Sequence, residues 1–178
     1  NPLNVYGADG QSADKVTLRE RLQPLFSSPL FWMICLTNCG LTLVRETFNF
    51  WTPTFLSEVP RLSPGDAAIG SLLFPLVGAV SAILGGTVSD RLGGRHGRVM
   101  VPSILCLTLA LALLAWVDLS GKPTLALVLI SLVSFFLIAP YSYLSGVMAL
   151  DLGGKKSSST VAGLSDSAGY LGAILSGQ

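Results

Sequence analysis

Apolar residues run almost without interruption through five stretches of this chain, roughly 28–56, 67–89, 99–118, 123–150 and 158–178. Each is about 20 residues or more, the length an α-helix needs to cross the ~30 Å hydrocarbon core of a bilayer. The stretches are too long and too evenly apolar for barrel strands, which alternate every second residue, and lipid offers free backbone amides no partner. The pattern therefore predicts a bundle of membrane helices at 28–178, up and down, after a polar segment at 1–27. In that segment Val16, Leu18, Leu22, Leu25 and Phe26 interleave with Lys15, Arg19 and Arg21. It reads either as a linker or as a short helix lying on the inner membrane surface.

Polar positions inside the first stretch single out one face. Arg45 lies near its middle, ~16 to 23 Å from either end at ~1.5 Å per helical residue, too deep to snorkel easily to water. Asn38, Thr42, Asn49 and Thr52 share its face on a helical wheel, whereas Leu36, Leu43 and Phe50 fall on the opposite one. Such a helix has one side for lipid or neighbours and one for a wet cavity. No carboxylate stands obviously opposite Arg45, and a charge at that depth is a functional site by default. Its planar paired donors suit two oxygens of an anion, and its charge persists under desolvation where a lysine could lose its proton. The structural alternative is an arginine satisfied by backbone carbonyls or by a carboxylate. The functional reading fails if Arg45 faces lipid or is fully neutralised by an acid of this same chain.

Small residues recur in the second stretch, at Gly70, Gly78, Ser81, Ala82, Gly85 and Gly86, with Pro75 among them, and in the fifth, at Gly163, Ser165, Ser167, Gly169 and Gly172. Both sets predict close helix contact, and Pro75 a bend. Pro140 removes a backbone hydrogen bond at about the depth of Arg45, giving either a hinge or a fixed kink.

Composition agrees with a membrane protein: hydrophobic residues make up 51% and charged residues 12% of the chain, and mean hydropathy is +0.64. Lys15, Arg19, Arg21, Arg91, Arg95, Arg98, Lys155 and Lys156 flank the spans on one side, against Arg61 and Lys122 on the other, which places the amino-terminal segment in the cytoplasm. Cys35, Cys39 and Cys106 fall within spans and are expected to pack without disulfides. His96, the single histidine, forms no metal-binding spacing with them, and no phosphate-cradling Gly-Lys-Ser/Thr loop appears. No metal, cofactor, nucleic acid or enzymatic chemistry is expected, so the energy of any transport comes from a gradient. No signal peptide precedes the first span, and the chain, from Asn1 to Gln178, reads as a fragment.

Residues 85–98, GGTVSDRLGGRHGR, set Asp90 and Arg91 at the cytoplasmic end of the second span. A solvated basic turn explains the arginines but neither the acid nor the glycine spacing. An acid at a helix end can bond the amino-terminal amides of a neighbouring helix and pair with a nearby arginine, making a latch. The loop resembles the signature loop of the major facilitator superfamily, whose pattern is filled here by Gly86, Asp90, Arg91, Gly93 and Arg95. Within that superfamily, RETFNFWTPTFL at 45–56 is similar to the seventh helix of the organophosphate:phosphate antiporters. Arg45, Trp51, Thr52, Pro53, Thr54, Phe55 and Leu56 carry the match, with Asn38 also in its place. ALDLGGKKSSSTVAGLSDSAGYLG at 149–172 resembles their tenth-to-eleventh helix junction through Lys155, Lys156, Ala162, Gly163, Gly169, Tyr170, Leu171 and Gly172.

The resemblance implies an all-α membrane protein of the major facilitator fold, this chain being the carboxy-terminal six-helix half, truncated in its fifth helix. It implies exchange of an organic phosphate ester, or a related organic anion, for inorganic phosphate by alternating access, with the bacterial inner membrane as the expected location. Arg45 would bind the substrate phosphate together with a second arginine in the absent amino-terminal half. Asn38, Thr42, Asn49, Glu46, Asp166, Tyr170 and Tyr141 are the further cavity candidates, with Tyr143 and Ser145 behind them. The chain departs from the glycerol-phosphate branch at Thr42 and Ala139, where that branch has aromatics, and in the extra acids Glu46 and Asp166. Glu46 lies about 100° from Arg45 on the wheel. Each acid has four roles open: orienting Arg45, carrying a proton, receiving a cationic group, or pairing with an arginine in the absent half. Two rival functions share these residues, a sugar-phosphate sensor and a proton-coupled carboxylate or sugar-acid symporter.

Overall fold

A computed structural model describes the chain over residues 26–92, 97–145 and 147–177. Its regular elements there are all α-helices: α1 Pro29–Glu58, α2 Pro64–Ser71, α3 Leu73–Arg91, α4 Gly97–Trp116, α5 Pro123–Ser145 and α6 Val147–Leu175. Local chemistry sets several ends. Proline opens α1 and α2, where a missing N–H costs nothing. Ser63 caps α2 by accepting the Asp66 amide at 3.2 Å while its hydroxyl donates to the Asp66 carboxylate at 2.7 Å. Between α4 and α5 the chain turns at Gly121, whose φ of 67° suits a residue without Cβ.

Among the described residues, three helical stretches have both the length and the apolar composition of a membrane span: Pro64–Arg91, which α2 and α3 make together, Gly97–Trp116 and Pro123–Leu144. At 30 and 29 residues, α1 and α6 have the length but carry more polar positions. The outward surface is apolar, with Leu36, Phe50, Ile83, Leu105 and Trp116 all exposed, an arrangement that only a lipid solvent favours.

Helix α5 is the hub, packed by α1, α3, α4 and α6. Its Ala126, Ile130, Val133, Leu137 and Leu144 are fully buried. The small residues of α2 and α3 explain how closely α5 approaches. A Cβ on Gly78 would stand 2.7 Å from Ile138 Cγ1, and one on Gly85 2.9 Å from Ala139 Cβ. Two hydroxyls cross this interface in opposite directions, Ser81 donating to the Phe135 carbonyl and Ser134 to that of Phe74. Such bonds hold helices together where hydrophobic contrast with lipid is absent. Gly86 faces open space, so the expected contact surface is narrower than the glycine pattern suggested.

The second span is interrupted at Leu72, as expected of Pro75, which gives the Ser71 carbonyl no donor and crowds it with its ring. Pro140 leaves α5 continuous. One boundary moves. The sequence pattern puts the turn between fourth and fifth spans around Lys155 and Lys156, yet α5 ends at Ser145 and α6 runs unbroken from Val147. Charged residues interrupt an apolar stretch without interrupting a helix: 147–160 holds no proline, and Ala, Leu and Lys are good helix formers. The interfacial helix expected within 1–27, apart from Phe26 and Ser27, lies outside the described residues.

Candidate functional site

The polar stripe of α1 divides into two environments. Asn38 and Thr42 are buried against α6, where Asn38 Nδ2 donates to the Ser165 carbonyl at 2.8 Å and to Ser165 Oγ at 3.3 Å. Glycines on α6 permit the contact. A Cβ on Gly169 would lie 2.9 Å from Thr42 Oγ1, and one on Gly172 only 2.2 Å from the Cys39 carbonyl oxygen. Asn38 and Thr42 were expected to line a wet cavity; in this conformation they are enclosed between two helices. The reason is that α6 presents glycine and serine to this face, which draws the backbones together. Of the fifth-span small residues, Ser165, Gly169 and Gly172 make the contact, whereas Gly163 and Ser167 are exposed. The interface is not fully satisfied: Asn38 Oδ1, Thr42 Oγ1 and, nearby in the α6 sequence, Asp166 Oδ1 are buried without a hydrogen-bond partner.

Farther along α1, Arg45 turns to α5. Its Nε donates to Glu46 Oε1 at 2.8 Å, its Nη2 donates to the same oxygen, and its guanidinium carbon lies 4.4 Å from the centroid of the Tyr141 ring. The ring face attracts the cation. The expectation of an unpaired guanidinium is thereby corrected. Its partner is the next residue in the chain, Glu46, so of the roles open to that acid the structure supports orienting Arg45.

The neutralisation is one-sided. Of the five N–H donors of a guanidinium, Nε–H and one on Nη2 go to Glu46, and those on Nη1 and the outer side of Nη2 bond no described residue. The Arg45 and Glu46 side chains are 24% and 13% exposed, so neither is fully enclosed. Arg45 also turns away from the exposed apolar face of α1 that carries Leu36 and Phe50.

Other candidates stand apart. Asn49 and Tyr170 are exposed, and neither side chain bonds a described residue. Thr52 is buried and donates to the Phe48 carbonyl one turn back. The structure thus joins Arg45, Glu46 and Tyr141 directly, joins Asn38 and Thr42 to Ser165 and Gly169, and leaves Asn49 and Tyr170 outside both groups. A cavity of about 130 Å³ lies along α1 between Thr47, Phe48, Trp51, Thr52, Phe55, Leu114 and Ile130, and nothing in its lining is charged.

Of the loop motif, Gly86, Asp90 and Arg91 end α3, with Asp90 and Arg91 exposed and neither in an ion pair with a described residue. Gly93 and Arg95 lie outside the described residues. Beside the motif, buried Ser89 hydrogen-bonds Tyr143 of α5. Ser89 was not singled out from the sequence, because a serine at a helix end carries no distinguishing pattern.

Comparison with known proteins places this architecture. The chain matches the Major Facilitator Superfamily across residues 4–177. It is 28% identical to a glycerol-3-phosphate transporter of Bacillus subtilis over 172 residues, covering 97% of this chain and 38% of that protein. It is 25% identical to a hexose-6-phosphate:phosphate antiporter of Escherichia coli over 161 residues, or 90% of this chain and 34% of the relative. A glucose-6-phosphate exchanger of Homo sapiens is 32% identical over 141 residues, 75% of this chain and 26% of the relative. The chain therefore spans well under half the length of these relatives. Their names agree with the resemblance carried by residues 45–56 and 149–172. With an apolar-surfaced helical bundle, and a family match over nearly all its length, the chain belongs to the Major Facilitator Superfamily.

Proposed function

We propose that this chain forms part of a secondary active transporter that exchanges an organic phosphate ester, or a related organic anion, for inorganic phosphate by alternating access. Arg45 is the anion anchor. The observation that carries the proposal is the geometry around its guanidinium, with one edge on Glu46, one face on Tyr141 and the remaining N–H donors open. Two parallel N–H groups on the open side match two oxygens of a phosphoryl group, and as charge-assisted bonds they are strong. The names of the relatives support phosphate esters as the cargo and exchange over proton-coupled symport. A pH jump with no phosphate inside the vesicle separates these: uptake that needs a proton gradient but no internal phosphate favours symport. A sensor would keep the binding residues and lose the flux.

The rest of the transporter supplies the facing half of the cavity in this reading, including a second cation. Substrate sits near the bilayer midplane, and rocking of the two halves makes and breaks the latch at Asp90. Binding drives the switch only through contacts that differ between states, so the anion is held best when both halves reach it. Basic residues concentrated on one side favour a cytoplasmic amino-terminal segment and, for a bacterial protein, the inner membrane. Asn38 and Thr42, enclosed here, join the cavity only if α1 and α6 part during the cycle.

The test is Arg45→Lys in the full-length protein, reconstituted in liposomes and assayed for labelled phosphate exchange. A lysine keeps the charge and loses the paired planar donors, so exchange falls by about tenfold or more. Undiminished exchange removes Arg45 from the site.

A further inference from the structure

We propose that Glu46 sets the charge of the anion Arg45 accepts, biasing the site against doubly charged oxyanions. The inference rests on Arg45 as the anion anchor and adds a selectivity residue to it.

Glu46 Oε1 receives both Nε–H and one Nη2–H of Arg45, so this edge of the fork is taken. Tyr141 covers one face of the same group at 4.4 Å. An anion is left with the edge formed by Nη1 and the outer side of Nη2, across the guanidinium plane from the carboxylate. Glu46 cannot easily be drawn elsewhere, since among the described residues its side chain bonds only Arg45, and at 13% exposure water does little for it. An arriving anion therefore meets an open guanidinium edge with a carboxylate close behind it rather than a lone cation. Repulsion by the carboxylate acts on the whole charge of the anion and grows with each added unit. Attraction to the guanidinium grows with the anion's charge as well, so Glu46 acts by removing much of the advantage that a second charge would otherwise bring. At ~6 Å and an effective dielectric of ~20, each unit of negative charge on the ligand is repelled by enough to weaken binding roughly a hundredfold, which partial exposure reduces to about tenfold. The i, i+1 acid thus separates anions by charge while leaving the shape recognition of the fork intact.

Sulfate, a permanent dianion, and methyl sulfate, a permanent monoanion of similar shape, read this out without interference from ligand protonation. Equilibrium binding of each to the purified full-length protein is measured for the native sequence, for Glu46→Gln and for Glu46→Asp. Glu46→Gln raises the ratio of sulfate to methyl sulfate affinity about tenfold, while Glu46→Asp, which retains the charge, leaves the ratio within about threefold of native. A merely structural Glu46 predicts instead that both anions weaken together in Glu46→Gln, and that outcome, or an unchanged ratio, overturns the proposal. Should Glu46→Gln not be recovered folded, Glu46→Ser removes the same charge and decides the matter by the same ratio. If the native protein binds neither anion, the anchor role of Arg45 fails first and the selectivity role with it.

Discussion

Arg45 is held within an apolar bundle with Glu46 on one edge of its guanidinium and the Tyr141 ring on one face. The tyrosine contribution separates from its hydroxyl. Tyr141→Leu deletes the ring and weakens anion binding several-fold, as expected of a cation–π contact of ~0.5–2 kcal/mol, whereas Tyr141→Phe keeps the ring and stays close to native. Titration with sulfate distinguishes them, and equal losses would assign the effect to the hydroxyl instead. At this scale the sequence was partly legible. A lone arginine deep in an apolar stretch announces itself, since a charge at that depth is a functional candidate by default. Its partner Glu46 was a named candidate with orienting Arg45 among its open roles, but adjacent residues diverge by about 100° on a helix, and only side-chain geometry picks that role out. Tyr141 was a named candidate, but its stacking on Arg45 depends on the depth at which α5 crosses α1, which no local pattern encodes.

Between elements, the contact of α1 with α6 is controlled by glycine. Gly172 has no room for a methyl group, since a Cβ there would overlap the Cys39 backbone, which cannot swing aside. Gly172→Ala is expected to cost ~1–3 kcal/mol as overpacking and to lower the melting temperature of the purified protein. Gly163, on the same helix, faces open space, so Gly163→Ala is a matched control with no loss, and slight stabilisation from better helix propensity. Equal effects at both positions would mean that general helix propensity, not close approach, governs α6. The small-residue pattern foretold tight packing but not its partner, and it overstated the set by including Gly86, Gly163 and Ser167. The helix boundary near residue 146 was missed for a related reason. Hydropathy marks where lipid lies, and a helix can run past that limit.

Over the whole molecule, five long apolar stretches and two motif matches were enough to read an all-α membrane bundle and its superfamily, and the family match bears this out. What faces the substrate was less legible. Wheel geometry gives a polar face for α1, yet tertiary packing assigns part of that face to α6 and part to α5, so one stripe becomes a helix interface and an open guanidinium edge. The buried Asn38 and Thr42 oxygens without a described partner mark the first of these as a polar contact. The relatives are roughly two and a half to three times as long as this chain, since 172, 161 and 141 aligned residues make up 38%, 34% and 26% of them, so in the proposed reading complete recognition of a cargo belongs to the full-length protein. The central claim is that Arg45 grips the anion, and equilibrium binding of labelled inorganic phosphate to the full-length protein tests it ahead of any transport step. The account predicts saturable binding that weakens about tenfold or more in Arg45→Gln, which removes the charge and the paired donors together. Equal affinity in the two proteins would contradict it.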